Sequence, residues 1–240
     1  MSAAPFLCGM PLTPDLLRAY FQWEVRSWSR ALPLWTDALS QLPAGPRTAL
    51  ALGERDGGLS LYLAQQGVRT VCSDLHGPTN GARELHHAHG VQALVDHEVI
   101  DALAIPKPDA SFDVVIFKSM IGALGSKERQ RQAIREMHRV LKPGGVLLFA
   151  ENLSGTALHR WLRKRFVAWD GYWRYLDIRQ DRDLFAPFAH VTDQSTGLLA
   201  NLGRSEGQRD LLGRVDAVIA PMVPANWRTI WYGAAFKDRS

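Results

Sequence analysis

Thr48-Ala49-Leu50-Ala51-Leu52-Gly53-Glu54-Arg55-Asp56-Gly57-Gly58-Leu59-Ser60 is where the chain first declares its architecture. It opens as a short apolar run, the pattern of a strand buried on both faces, and breaks at Gly53 into a glycine-bearing turn. Residues 59–67 follow as a helix stopped by glycine. Residues 68–73 then form a second strand that ends in Asp74. Together these pieces make one βαβ unit, whose crossover should be right-handed.

The same alternation continues downstream. Residues 93–99 read as a third strand and 112–117 as a fourth, with Val114, Val115 and Ile116 in a continuous apolar run. Residues 127–140 form an amphipathic helix that turns Ala133, Ile134, Met137 and Val140 toward the core. Pro143-Gly144-Gly145 predicts a turn, and residues 146–150 a fifth strand. Alternating strands and helices predict an α/β, Rossmann-like doubly wound parallel sheet.

Upstream, residues 13–42 read as a helical cap rich in Tyr20, Phe21, Trp23, Trp28 and Trp35. Thr13 is a cap residue, Pro14 suits the first helical position, and Pro33 is expected to split the segment into two helices. After Glu151 the alternation stops. Residues 154–185 read as a helical insertion in which Leu158, Trp161, Leu162 and Phe166 share one face beside Arg160, Arg163, Lys164 and Arg165. Residues 188–194 and 229–236 look like closing strands. The chain therefore divides into a cap (13–42), a core (47–152), an insertion that forms a lid (154–185) and C-terminal strands (186–240), all within one domain.

Composition sets outer bounds. The chain has 240 residues, 46% hydrophobic and 22% charged, a balance expected of a globular protein. No run approaches the roughly 18 apolar residues of a membrane span. Residues 1–5 lack a basic region followed by an apolar stretch, so a cytoplasmic location is expected. Cys8 and Cys72 allow at most one disulfide, and Cys72 falls in an apolar run where a thiol acts as a small hydrophobe. A net charge of +4 is too small an excess to argue for nucleic acid.

Three features could hold a nucleotide-like ligand. The turn from Gly53 through Gly57 and Gly58 lets a ligand approach the backbone, and the next helix offers N-terminal amides. Asp74, about 20 residues on, can accept from both hydroxyls of a ribose. Asp101-Ala102 follows the third strand, where an acid can accept from an adenine amine; Asp101 is preferred to Glu98 for that place. Each also has a plainer reading, as a tight turn, a turn cap or a solvated loop acid. Arg55 stands where a G-x-G-x-x-G fingerprint needs its second glycine.

From residue 47 to 152 the chain resembles a class I S-adenosylmethionine-dependent methyltransferase of the menaquinone/ubiquinone type. The matching residues are Leu50-Ala51-Leu52-Gly53 with Gly57-Gly58-Leu59-Ser60, Ser73-Asp74, Asp101-Ala102, Ser111-Phe112-Asp113-Val114-Val115 and Glu136-Met137-His138-Arg139-Val140-Leu141-Lys142-Pro143-Gly144-Gly145. The resemblance implies a seven-stranded sheet with an antiparallel last strand. It implies S-adenosylmethionine as cofactor and a cofactor site built from Gly53, Arg55, Gly57, Gly58, Asp74, Leu75, Asp101, Ala102 and Lys118. Two departures stand out: Ala51 replaces an acid that commonly holds the methionine amino group, and Arg55 must point away or meet the methionine carboxylate.

Methyl transfer from a sulfonium needs alignment first, and a base only where the acceptor loses a proton. No catalytic residue is therefore assigned, with Lys118 and His159 as candidates. Lys118 ends the fourth strand, where a cation beside a sulfonium must turn away, pair with a carboxylate, act as a base or hold an anionic acceptor. Tyr20, Trp23, Trp28, Arg160, Trp173 and Arg174 are candidate acceptor contacts. A solvated basic helix and a membrane-surface helix are the other readings of the insertion. His86, His87 and His89 predict a surface helix face, and no metal is expected. The expected reaction is methylation of an oxygen or nitrogen on a small, anionic or glycosylated acceptor. A non-catalytic binding subunit and a nicotinamide-dependent dehydrogenase are the alternatives.

Overall fold

The computed structural model describes residues 6–7, 10–168 and 170–239; the N-terminal segment 1–5 and Cys8 lie outside them. A two-stranded antiparallel ribbon, β1 (Phe6–Leu7) and β2 (Met10–Pro11), precedes three helices: α1 (Pro14–Phe21), α2 (Val25–Trp28) and α3 (Leu32–Ser40). The core follows as β3 (Thr48–Leu52), α4 (Gly58–Ala64), β4 (Arg69–Asp74), α5 (Asn80–Ala88), β5 (Val95–Val99), β6 (Phe112–Lys118), α6 (Lys127–Val140) and β7 (Leu141–Asn152). Next come α7 (Ala157–Phe166), the short α8 (Ile178–Asp181), β8 (His190–Thr196), α9 (Glu206–Ile219) and β9 (Ile230–Phe236).

Seven strands form one sheet in the order β5-β4-β3-β6-β7-β9-β8. The first five are parallel, and β9 runs antiparallel between β7 and β8. Strand alternation explains why both faces are buried. In β3, Ala49 and Ala51 join the core under the N-terminal helices, while Leu50 and Leu52 join the core under α6. The small alanines leave room for a fully buried aromatic group: Trp35 lies against Phe21 and Tyr62, and its Nε1 donates to Gly233 O at 3.1 Å.

Three local expectations are corrected. The N-terminal segment breaks first at Gln22 and Glu24, which have φ of 66° and 47°, and a second boundary, a 3-10 turn at Ser29–Ala31, falls just before Pro33. Pro33 lies in the first turn of α3, where a missing N–H costs nothing. Residues 143–145 do not separate two elements; β7 runs through them, and its pairing with β6 shifts between Phe112 and Val114. Helix α9 had no counterpart in the sequence reading, because its apolar residues Leu211, Val215 and Val218 face solvent and give no core-facing stripe.

Helix α1 sits directly on the glycine turn. A Cβ at Gly58 would lie 2.6 Å from Ala19 O and still closer to Tyr20 O, both immovable backbone atoms. Gly58→Ala is therefore expected to lower stability by about 1–3 kcal/mol in denaturant titration, as overpacked cores do. An unchanged midpoint would show that α1 is not seated there.

Candidate functional site

Register gathers the chemistry at one edge of the sheet. Ala51 pairs with Cys72, Leu52 with Phe117, Asp74 with Val99 and Lys118 with Ala150, so the carboxyl ends of five strands open together. In an open α/β sheet that edge is where ligands bind. Gly53 and Gly57 take φ of 63° and 76°, left-handed values that cost glycine little.

The turn is closed from within by a residue with no precursor in the sequence reading. Glu54 is buried, and its carboxylate accepts from the Leu59 and Ser60 N–H groups, the latter at 2.8 Å. Burial pushes its pKa up to about 7, against the opposing pull of those hydrogen bonds. The first-turn amides of α4, expected to be open to a ligand, are thus partly taken by the protein. The Arg55 side chain is exposed and pairs with Asp56 at 3.2 Å.

His86 corrects the surface-face expectation. His87 and His89 are exposed, but His86 is fully buried. Its Nε2 donates to Gly57 O at 2.9 Å, and its Nδ1 accepts from His97 Nε2 at 3.0 Å. Burial lowers both imidazoles, His97 to about 4, and the pair fastens α5 to the turn. Cys72, a free buried thiol, lies beside them, and the ligand-type atoms of all three residues fall within 4.8 Å of one another. Spacing along one helix could not show partners supplied by β4 and β5.

A cavity of about 1100 Å³ opens over the turn. The turn forms its floor from Gly53 to Leu59; Tyr20, Gln22, Trp23 and Glu24 form one wall; α7, Trp173, Tyr175 and residues 201–204 form the roof. Among the expected residues, Gly53, Arg55, Gly57, Gly58, Lys118, Tyr20, Trp23, His159 and Trp173 line it. Asp74, Leu75, Asp101 and Ala102 do not. They lie further along the same edge, where Leu75 and Val99 are exposed and Asp74 Oδ1 accepts from His76 N at 3.2 Å.

Three expected acceptor contacts are committed elsewhere. Trp28 is buried in the core and meets the site only through Lys118. Arg160 donates to Gly155 O, and Arg174 pairs with Asp181 at 2.7 Å and with Gln130. His159 lines the cavity, but both ring nitrogens are engaged. Nδ1 accepts from Thr156 N at 3.1 Å and Nε2 donates to Leu198 O at 2.6 Å, with burial lowering its pKa. It is a capping residue of α7 and no free base.

Lys118 is the anomaly. It is 9% exposed, and its Nζ has no hydrogen-bond partner among the described residues. The ammonium sits 3.2 Å from the centre of the Trp23 ring and 5.1 Å from that of Trp28. Burial pushes its pKa down to about 7, although Glu54, Glu151 and Glu24 pull it upward. Of the readings open for it, pairing with a carboxylate finds no partner within ion-pair distance among the described residues; aromatic faces hold the cation. Next to it, Glu151 is wholly buried and accepts from the N–H groups of Met120, Gly122 and Asn152 at 2.9, 3.3 and 2.8 Å, fixing the loop that leaves β6. The indole N–H groups of Trp173, packed on Gly122, and of Trp28 are further buried donors without a partner among the described residues.

Comparison with known proteins finds similarity over the same region. Residues 50–149 match the model of a methyltransferase domain. A ubiquinone/menaquinone biosynthesis C-methyltransferase of Pseudoalteromonas translucida is 38% identical over 69 residues, 29% of this chain and 26% of that protein. The demethylmenaquinone methyltransferase of Thermus thermophilus is 34% identical over 113 residues, 46% of this chain and 49% of that protein. The chain thus spans less than half the length of these relatives. A phosphoethanolamine N-methyltransferase of Haemonchus contortus, solved with S-adenosyl-L-methionine, superposes with a TM-score of 0.64 at 18% identity, covering 98% of this chain and 62% of that one. Residues 50–149, which hold the glycine turn, are thus similar to a methyltransferase domain, and the seven-stranded sheet has the fold of the solved methyltransferase.

Proposed function

We propose that this chain transfers a methyl group from S-adenosylmethionine to an oxygen or nitrogen of a small anionic acceptor. The observation that carries the reading is Lys118, a buried amine with no hydrogen-bond partner among the described residues, in the wall of a cavity at the carboxyl edge of the sheet. Leaving such a group unpaired is costly, and an acid group on the acceptor supplies the missing partner. The Trp173 indole adds a second waiting donor. An anionic acceptor also offsets repulsion between Lys118 and a sulfonium at the same edge.

The residues present suit the cofactor. The turn at Gly53 offers bare backbone, Asp74 a carboxylate for ribose hydroxyls, and exposed Leu75 and Val99 apolar surface for a purine. Bound there, the cofactor would supply an electrophilic methyl group. The chain's part is to align the acceptor and to exclude water beneath α7. One side chain must yield: Met120 rests over Gly53, in the space a Cβ would need. Methionine is flexible enough to swing aside.

Calorimetry with S-adenosylhomocysteine tests the reading. Binding is expected, and Asp74→Ala should weaken it about tenfold or more, the loss of a charge-assisted hydrogen bond. The occupied α4 amides and the position of Met120 favour a second reading, a methyltransferase fold that binds a partner without catalysis. Absence of binding at millimolar ligand would select that reading.

A further inference from the structure

Helix α7 is amphipathic the wrong way round. Its inward face carries His159 and Arg163, both buried; its outward side exposes Leu158, Trp161 and Phe166, with Trp161 61% exposed. The inward polarity has a cause. Arg163 donates to Leu153 O at 2.8 Å and Ser154 O at 3.1 Å and lies over the Tyr175 ring, while His159 caps the helix and reaches Leu198 O. Phe166 meets the Arg165 and Arg204 guanidiniums and lines the cavity, but Leu158 and Trp161 have no such cause. Packing does not need them there, and exposed Trp, Phe and Leu on one helix mark an interaction surface.

The charges around them narrow the partner. Apart from His159, every ionisable residue of α7 is a cation (Arg160, Arg163, Lys164 and Arg165), and no acid occurs in the helix. Arg160, Lys164 and Arg165 are exposed and interleave with Trp161 and Leu158. A protein groove able to bury Trp161 and Leu158 would also have to supply acids for the cations between them. At a bilayer surface no such match is needed: long basic side chains reach the phosphates while Trp and Leu enter the headgroup layer.

We propose that the outward face of α7 seats the protein on an anionic lipid surface. The apolar stripe does not end at the surface. Leu162 and Phe166, on the same helix, line the cavity, so one apolar path leads from the seated face to the site above the glycine turn. The acceptor class this favours is an anion carried on a lipid or dissolved at its surface. No helix of the described residues is long and apolar enough to cross a membrane, so the contact is peripheral.

Co-sedimentation of the whole chain with phosphatidylcholine vesicles, with and without phosphatidylglycerol, tests the proposal and requires no cofactor. Its failure is thus separable from failure of the methyltransferase reading. The expected result is binding to the phosphatidylglycerol vesicles that fades as salt is raised. The pair Lys164→Glu and Arg165→Glu should weaken it by about tenfold or more. The pair Leu158→Ser and Trp161→Ser should weaken it comparably while S-adenosylhomocysteine affinity stays unchanged. No sedimentation with anionic vesicles at low salt would overturn the proposal, as would full binding by the serine pair. A lipid-free dimer that Trp161→Ser converts to monomer would overturn it too, by assigning the face to a second copy of the chain.

Discussion

Lys118→Met raises the midpoint of thermal unfolding by about 5 °C and at the same time removes turnover of the acceptor. The two effects share one cause. Burying an ammonium costs several kcal/mol, and the faces of Trp23 and Trp28 return up to about 2 kcal/mol of it. Methionine fills a similar volume between the same rings without the charge, for a net gain of about 1–3 kcal/mol at roughly 2–4 °C for each in a chain of this size. The gain depends on pH. With a folded pKa near 7, against about 10.5 when unfolded, the unfolded chain holds a proton that the folded chain lacks across that interval. Wild-type stability therefore climbs with pH from 7 toward 10, whereas the methionine variant lacks that slope. The gap is widest at pH 7 or below and closes under alkaline conditions. Calorimetric scans of both proteins across this range check the claim. A variant less stable at pH 7 would mean the ammonium has a partner in solution, and an undiminished kcat/KM would take Lys118 out of the acceptor site.

Glu151→Ala is expected to lower stability by about 3–5 kcal/mol, because it orphans three backbone donors at once and each buried unpaired N–H costs about 1–3 kcal/mol. The donors belong to Met120, Gly122 and Asn152, so the damage reaches the loop between Lys118 and Trp173. Glu151→Gln keeps the shape and one good acceptor and should cost less than half as much. Urea titration of the two variants distinguishes a hydrogen-bonding anchor from a charge that merely tolerates burial. Equal losses would favour the second.

What the sequence made legible was mostly periodic. The strands around Leu50 and Val115 and the helix from Lys127 announce themselves because each buries a face whose spacing is local. The 141–145 segment was legible as a connection but not as a bulge, since its pairing depends on Phe112 and Val114 across the sheet. The site was less readable. Gly53 and Lys118 follow from their place at strand ends, and both line the cavity. Glu54 and Glu151 left no signal, because a carboxylate that caps backbone amides looks like any other until the chain has folded. Arg160 and Arg174 looked like ligand contacts for a related reason: their partners, Gly155 O and Asp181, are fixed by turns that no spacing rule predicts.

The strand order carries a consequence for how the molecule is made. Strand β9 leaves the ribosome after both β7 and β8, yet its slot lies between them. Until it arrives, two long strand edges stay unsatisfied, and the Trp35 indole has no carbonyl at Gly233 to receive its proton. Nascent chains halted before Ile230 should therefore recruit chaperones or stick to one another, because open β edges are templates for aggregation. The seven residues of β9 thus decide whether those two edges are covered.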